Sequence, residues 1–130
     1  MIHAFRLLPG ENLRAALRNY CNEHKIEAAV ILSCVGSLNE AVLRFAGNAH
    51  GTNVMGPLEI VSATGTLSRH GLHIHISVSD ENGSVTGGHL MEGSSIRTTA
   101  EIILQELDGF VFTREKDAAT GYEEIRVEKK

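Results

Sequence analysis

Between Gly71 and Asp80 apolar and polar residues alternate without a break. Leu72, Ile74, Ile76 and Val78 fall on one face, and His73, His75, Ser77 and Ser79 on the other. A period of two over this length predicts a half-buried strand whose apolar face meets a core. The opposite face carries two imidazoles and two hydroxyls, an unusual set for plain solvent. Asp80 to Ser84 is centred on Asn82-Gly83, a turn signal. A three-residue loop Glu81-Asn82-Gly83 places Gly83 at the left-handed position of a bulged turn, where glycine has no steric penalty. Asp80 then pairs with Ser84, and counting outward sets His75 opposite His89. Directly opposed residues share a face, with Cβ atoms roughly 5 Å apart, and His73 lies about 7 Å along that face. Three imidazoles converge in this register. A two- or four-residue loop would instead set His75 opposite Gly88 and disperse them. Gly87 and Gly88 leave the neighbourhood thin, open to a ligand or to another backbone.

The remaining pattern reads as support for this hairpin. Ile2 to Leu8 is a first strand, ended by Pro9-Gly10. From Glu11 to Asn22, Leu13, Ala16, Leu17, Tyr20 and Cys21 recur at helical spacing, with Glu11 suited to the positive end of the dipole. Tyr20 belongs to the core side of that helix. Ala28 to Val35 is a continuous apolar run that fits a strand covered on both faces. Gly36-Ser37 is expected to bend the chain, so that Glu40 to Phe45 returns as another strand. Gly47 to Gly56 reads as loop and His50 as a solvated loop residue. Gly56 to Leu67 is the next strand, with Glu59 as an acid near its start. Gly93 to Thr99 is a polar connector. Asp108-Gly109 is a hairpin signal between Ala100–Leu107 and Phe110–Phe112. Thr113 to Thr120 reads as a charged loop or helical turn, and Tyr122 to Glu128 as the strand that closes the sheet. The expected fold is α+β: a mostly antiparallel single sheet of about seven strands with one main helix. One helix leaves much apolar sheet uncovered, which argues for a homo-oligomer.

Composition narrows the class. The chain has 130 residues, 42% of them hydrophobic, which suits one domain over residues 1–130 with an ordinary core. The formal net charge is −4, and lysine and arginine form no run beyond Lys129-Lys130. That weighs against a nucleic-acid surface built by the domain itself. No stretch of eighteen apolar residues and no charged-then-apolar leader occurs, so a soluble, cytoplasmic protein without membrane association is expected. Cys21 and Cys34 lack metal-ligand spacing and read as buried free thiols.

Gly65-Thr66-Leu67, then Gly71 to Asp80, then Gly83-Ser84-Val85-Thr86-Gly87-Gly88-His89-Leu90, with Pro57-Leu58-Glu59-Ile60 upstream, resemble the signature of the PPC domain. This is the plant and prokaryote conserved domain, also called the PD1-like DNA-binding family. The resemblance spans nearly the whole chain. It implies a homotrimer whose central sheet continues into its neighbours, and an inherited DNA-binding label. In plants that label rests on AT-hook arms, short Arg-Gly-Arg-Pro-like segments outside the domain, and this sequence contains none. Pro57 also stands where the plant pattern has arginine. The fold is further similar to that of acetolactate decarboxylase, whose catalytic zinc is held by three histidines, two of them as His-x-His. His73, His75 and His89 match that arrangement in kind.

Neutral imidazole suits zinc, and three protein ligands with an open fourth position is the pattern of catalytic rather than structural zinc. His73, His75 and His89 are therefore the candidate ligands of a Zn²⁺ ion. Glu59 and Asp80 are the candidate carboxylates to orient them, and Ser77, Gly87 and Gly88 complete the candidate pocket. The competing reading is a polar pocket or subunit contact without metal. The functions in view are a trimeric metal- or small-ligand-binding module, a DNA-associated regulator or scaffold, and a zinc-dependent lyase or hydrolase of unassigned substrate. No serine–histidine–acid set and no phosphate-cradling glycine loop is present, and whether the chain is an enzyme stays open.

Overall fold

A computed structural model describes residues 1–130. In chain order the elements are β1 (Ile2–Leu7), α1 (Leu13–Glu23), β2 (Ala29–Arg44), β3 (Thr52–Ser68), β4 (Gly71–Ser79), β5 (Val85–Leu90), β6 (Ile96–Glu106), β7 (Phe110–Lys116) and β8 (Glu123–Lys129). The main sheet has six strands in the order β1-β6-β2-β3-β4-β5, all antiparallel, and β7 pairs with β8 in a second sheet. The α+β class and the single main helix are as the pattern predicts.

One pairing shapes everything that follows. The end of β2 also joins β5, through Leu43↔Leu90 and Arg44↔His89. The first half of β2 pairs with β6 on that same side. Strands β2, β3, β4 and β5 therefore curl and close on one another, and the edge of β5 nearest the histidines is covered. Closure of this kind removes part of an open edge that would otherwise recruit a foreign strand.

The apolar rows point into the closed space and towards α1. Leu72, Ile74, Ile76 and Val78 of β4 are all buried, as their alternation requires. They meet Leu38 and Leu43 of β2, Leu58 and Leu67 of β3, and Leu13, Leu17 and Cys21 of α1 in one cluster. Asn12 caps the helix, its Oδ1 accepting the Ala15 N–H at 3.3 Å. Glu11 lies outside the helix and accepts the Leu8 N–H instead. Tyr20 packs against the core, and its hydroxyl meets Nδ1 of the buried His3 at 3.0 Å. Both cysteines are buried and free, and burial pushes each thiol up to about 11.

Three expectations need correction. Gly36-Ser37 does not end a strand; β2 runs unbroken for 16 residues. A Cβ at Gly36 would lie 2.0 Å from the Thr99 carbonyl oxygen, so this glycine lets β6 approach rather than turning the chain. Gly56-Pro57 likewise lies within β3, not at the end of a loop. The two residues face Asn39 where the β2–β3 register slips, a place that tolerates a residue without an N–H. Finally, Thr113–Lys116 is strand rather than loop, and the strand after Tyr122 does not close the main sheet. It pairs only with β7, and every residue of β8 is exposed. The β7–β8 hairpin is anchored through β7: Phe112 is buried, its N–H donates to the Glu27 carbonyl, and its carbonyl accepts the Ser68 hydroxyl at 2.7 Å.

Candidate metal centre

The hairpin β4–β5 places the histidines. The Asp80 N–H donates to the Ser84 carbonyl at 3.0 Å, and the Gly83 N–H donates to the Asp80 carbonyl at 3.0 Å. Gly83 sits at φ 79°, the left-handed position that the three-residue loop requires. Asp80 Oδ1 accepts the N–H groups of Asn82 and Ser84 and so holds the turn. From this turn the register runs Ser79↔Val85, Ser77↔Gly87 and His75↔His89. His73, His75 and His89 consequently share the face away from the core.

Their geometry is that of a convergent set. Ring centroids are 4.9 Å apart for His73–His75, 5.1 Å for His73–His89 and 5.7 Å for His75–His89. One nitrogen from each ring lies within 4.8 Å of the others. His73 Nε2 and His75 Nε2 are 3.1 Å apart, a hydrogen bond in which one ring must donate. Two nitrogens on one tetrahedral zinc sit roughly 3.3 Å apart, given bonds near 2.0 Å. The His73–His75 pair has nearly that spacing already.

Electrostatics favour the ligating form of the rings. His89 is pushed down to about 4, first by burial and then by the Arg44 guanidinium and the other two imidazoles. His73 is also lowered, by burial, by His75 and by Arg114, with Glu124 opposing. A group that resists protonation keeps its lone pair available to a metal. The donor set, three neutral nitrogens and no thiolate, fits zinc or another borderline divalent ion.

The histidines open into a recess of ≈ 630 Å³ that also receives Arg44, Asn48 and Tyr122. Gly87 and Gly88 line it as expected, yet their reason is mainly backbone approach. A Cβ on Gly88 would come within 2.9 Å of the Arg44 carbonyl, and one on Gly87 within 3.1 Å of the Ile76 carbonyl. Three other expected residues are not brought to the histidines. Glu59 stands opposite Ser79, four residues from His75 and so about 13 Å along the strand. Asp80 is occupied by its turn, and both acids line a separate recess with Arg97. Ser77 is engaged by the Ser62 hydroxyl at 2.8 Å. The carboxylates near the site are instead Glu123 and Glu124, which line a second recess with His73, His89, Arg44 and Arg114. A usable signal for Arg114 exists in the sequence: it has the same strand parity as the buried Phe112, so it faces inward.

Residues 1–108 match the model of the Plants and Prokaryotes Conserved (PCC) domain. The chain belongs to the PCC-domain family. Among solved PCC-like structures, a hypothetical protein from Salmonella enterica is 38% identical and superposes with a TM-score of 0.95, covering 100% of this chain and 94% of that one. A PPC protein from Pyrococcus horikoshii is 30% identical with a TM-score of 0.82, over 100% of this chain and 94% of that one. A protein from Archaeoglobus fulgidus described as metal-containing is 28% identical with a TM-score of 0.85, over 97% of this chain and 93% of that one. The curated relative "Bifunctional protein GlmU" from Synechococcus sp. (strain JA-3-3Ab) is 40% identical across 98% of this chain. The chain spans 21% of that relative's length. The β7–β8 hairpin, with Arg114, Tyr122 and Glu124, lies beyond the residues matched by the PCC model.

Proposed function

We propose that this PCC domain is a metal-binding module, with one divalent ion, zinc by donor chemistry, on His73, His75 and His89. The observation that carries the reading is the convergence of three imidazole nitrogens within 4.8 Å on a face that opens to a recess. Three nitrogens leave one position of a tetrahedral ion for water or a ligand, as in catalytic rather than structural zinc sites. The metal-containing description of the Archaeoglobus relative lends support. The module acts as a homotrimer in this reading. Leu32, Val35, Val61 and Ile103 are exposed on strands β2, β3 and β6, and a neighbouring copy would cover them.

The test is elemental analysis of protein purified without a histidine tag. One equivalent of zinc or a similar ion per chain is expected. Changing any one of the three histidines to alanine should abolish the ion and leave the fold intact, because the opposite face of β4 carries the packing. Wild-type protein that stays metal-free after incubation with zinc at neutral pH would reassign the cluster to a polar pocket.

A further inference from the structure

The cations around the histidines are unmatched. Arg14 and Arg18 share Glu92, Arg69 meets Glu27, and Arg126 meets Glu115 and Glu128. Arg44 and Arg114 have no carboxylate in ion-pair contact, although both are half-buried. A guanidinium withdrawn from water without an anion costs stability, so a protein that keeps one has a use for it.

Arg44 stands one cross-strand step from a histidine, and Arg114 reaches the neighbour of another. Arg44 is directly opposite His89, through the β2–β5 closure. Its guanidinium carbon lies 5.4 Å from the centre of the Tyr122 ring, a cation–π contact that fixes it over the recess. Arg114 donates from Nη2 to Thr66 Oγ1 at 3.1 Å, and Thr66 is the cross-strand neighbour of His73. The Arg114 stem lies over Gly71, where a Cβ would approach its Cγ to 2.8 Å.

The charges divide between the two mouths. Glu123 and Glu124 line the recess that Arg114 enters, and Glu124 acts on its charge at longer range. The larger recess, with all three histidines and Arg44, has no carboxylate on its wall. A divalent ion there would meet only neutral nitrogens and a second cation. Its ≈ 630 Å³ falls within the range of small-molecule sites.

We propose that the larger recess binds a small metabolite through an oxyanion, a carboxylate or a phosphate, held between an ion on the three histidines and the fork of Arg44. Arg114 flanks it and contributes at longer range. The proposal rests on the reading of the histidines as a metal site. Arginine presents paired donors that match either oxyanion.

Cobalt(II)-loaded protein provides the test, because ligand entry at the open position changes the visible absorption of a tetrahedral cobalt. Malonate and inorganic phosphate are titrated separately in a non-coordinating buffer. A saturable spectral change is expected, and the tighter of the two anions identifies the headgroup. Arg44→Gln should weaken that anion at least tenfold with cobalt stoichiometry and thermal unfolding unchanged. Arg44→Lys should recover part of the loss, Arg114→Gln should weaken binding less than Arg44→Gln, and Arg6→Gln, far from the recess, should change nothing. Cobalt-loaded protein indifferent to both anions, or an Arg44→Gln variant that binds as wild type does, overturns the anion site alone. Protein that takes up no cobalt overturns the metal reading and the proposal with it, and elemental analysis shows this before any anion is added.

Discussion

His89 combines a place in the three-histidine cluster with a lowered proton affinity, and the two have separable consequences. In the metal-free protein its folded value is near 4, against 6.5 for an ordinary imidazole. Between these values the unfolded chain binds a proton that the folded chain refuses. Stability therefore falls as pH drops from about 6.5 towards 4, and this contribution levels off below the folded value. We predict that urea unfolding of metal-free wild type loses stability over that window relative to His89→Gln, which does not titrate. Parallel pH profiles for the two proteins would contradict this. At this scale the three histidines were legible in the sequence, because alternation and one turn length determine which face they occupy. Arg44 was not, because a strand closure puts it in place, and for Arg114 the parity shared with Phe112 marks an inward side but not the histidines, to which a docked hairpin brings it. Glu59 and Asp80 were misjudged because proximity in sequence to the histidine strand says nothing about distance along it.

At the level of elements, strand alternation predicted β4 and β5 to the residue pair, whereas glycines misled elsewhere. Gly36 and Gly83 look alike in a sequence and act differently. Gly83 supplies a left-handed φ with nothing within 4 Å of a would-be Cβ. Gly36 supplies space, with the Thr99 carbonyl oxygen 2.0 Å away. We predict that Gly36→Ala costs about 3 kcal/mol or more by forcing β2 from β6, in line with overpacked interiors. Gly83→Ala should cost about 1–2 kcal/mol, the penalty of a left-handed alanine. Denaturant melts of both variants decide the order, and a larger loss for Gly83→Ala would refute it. The β7–β8 hairpin shows the other limit of pattern reading. Alternation marks a strand but does not name its neighbour: Ile125 and Val127 share one face of β8, yet the strand pairs only with β7 and stays exposed.

For the whole molecule, the exposed apolar positions of β2, β3 and β6 are the feature a monomer does not explain. We predict a trimer mass by light scattering at micromolar concentration, and its loss in Val35→Lys, which puts a charge among those positions. A monomeric wild type would remove the oligomeric reading. Charge argues separately about nucleic acid. With a net −4, and lysine and arginine forming no run beyond Lys129-Lys130, the chain offers little concentrated positive charge to displace counterions from DNA. We predict no sequence-selective DNA complex near 0.15 M salt, and a nanomolar shift in a binding assay would show otherwise. No helix is long and apolar enough to cross a membrane.

The closure of β2 onto β5 also bears on the order in which the chain assembles. His75 and His89 meet across a hairpin whose ends are close in sequence, and such hairpins form in microseconds. Arg44 reaches His89 only when a strand 45 residues upstream swings into place, a non-local step that is slow in sheet proteins. A folding chain would therefore bring His75 and His89 together before Arg44 joins them. If the ion is captured at that early stage, zinc present during refolding should raise the folding rate, while an anion added with it should leave that rate unchanged and slow only unfolding.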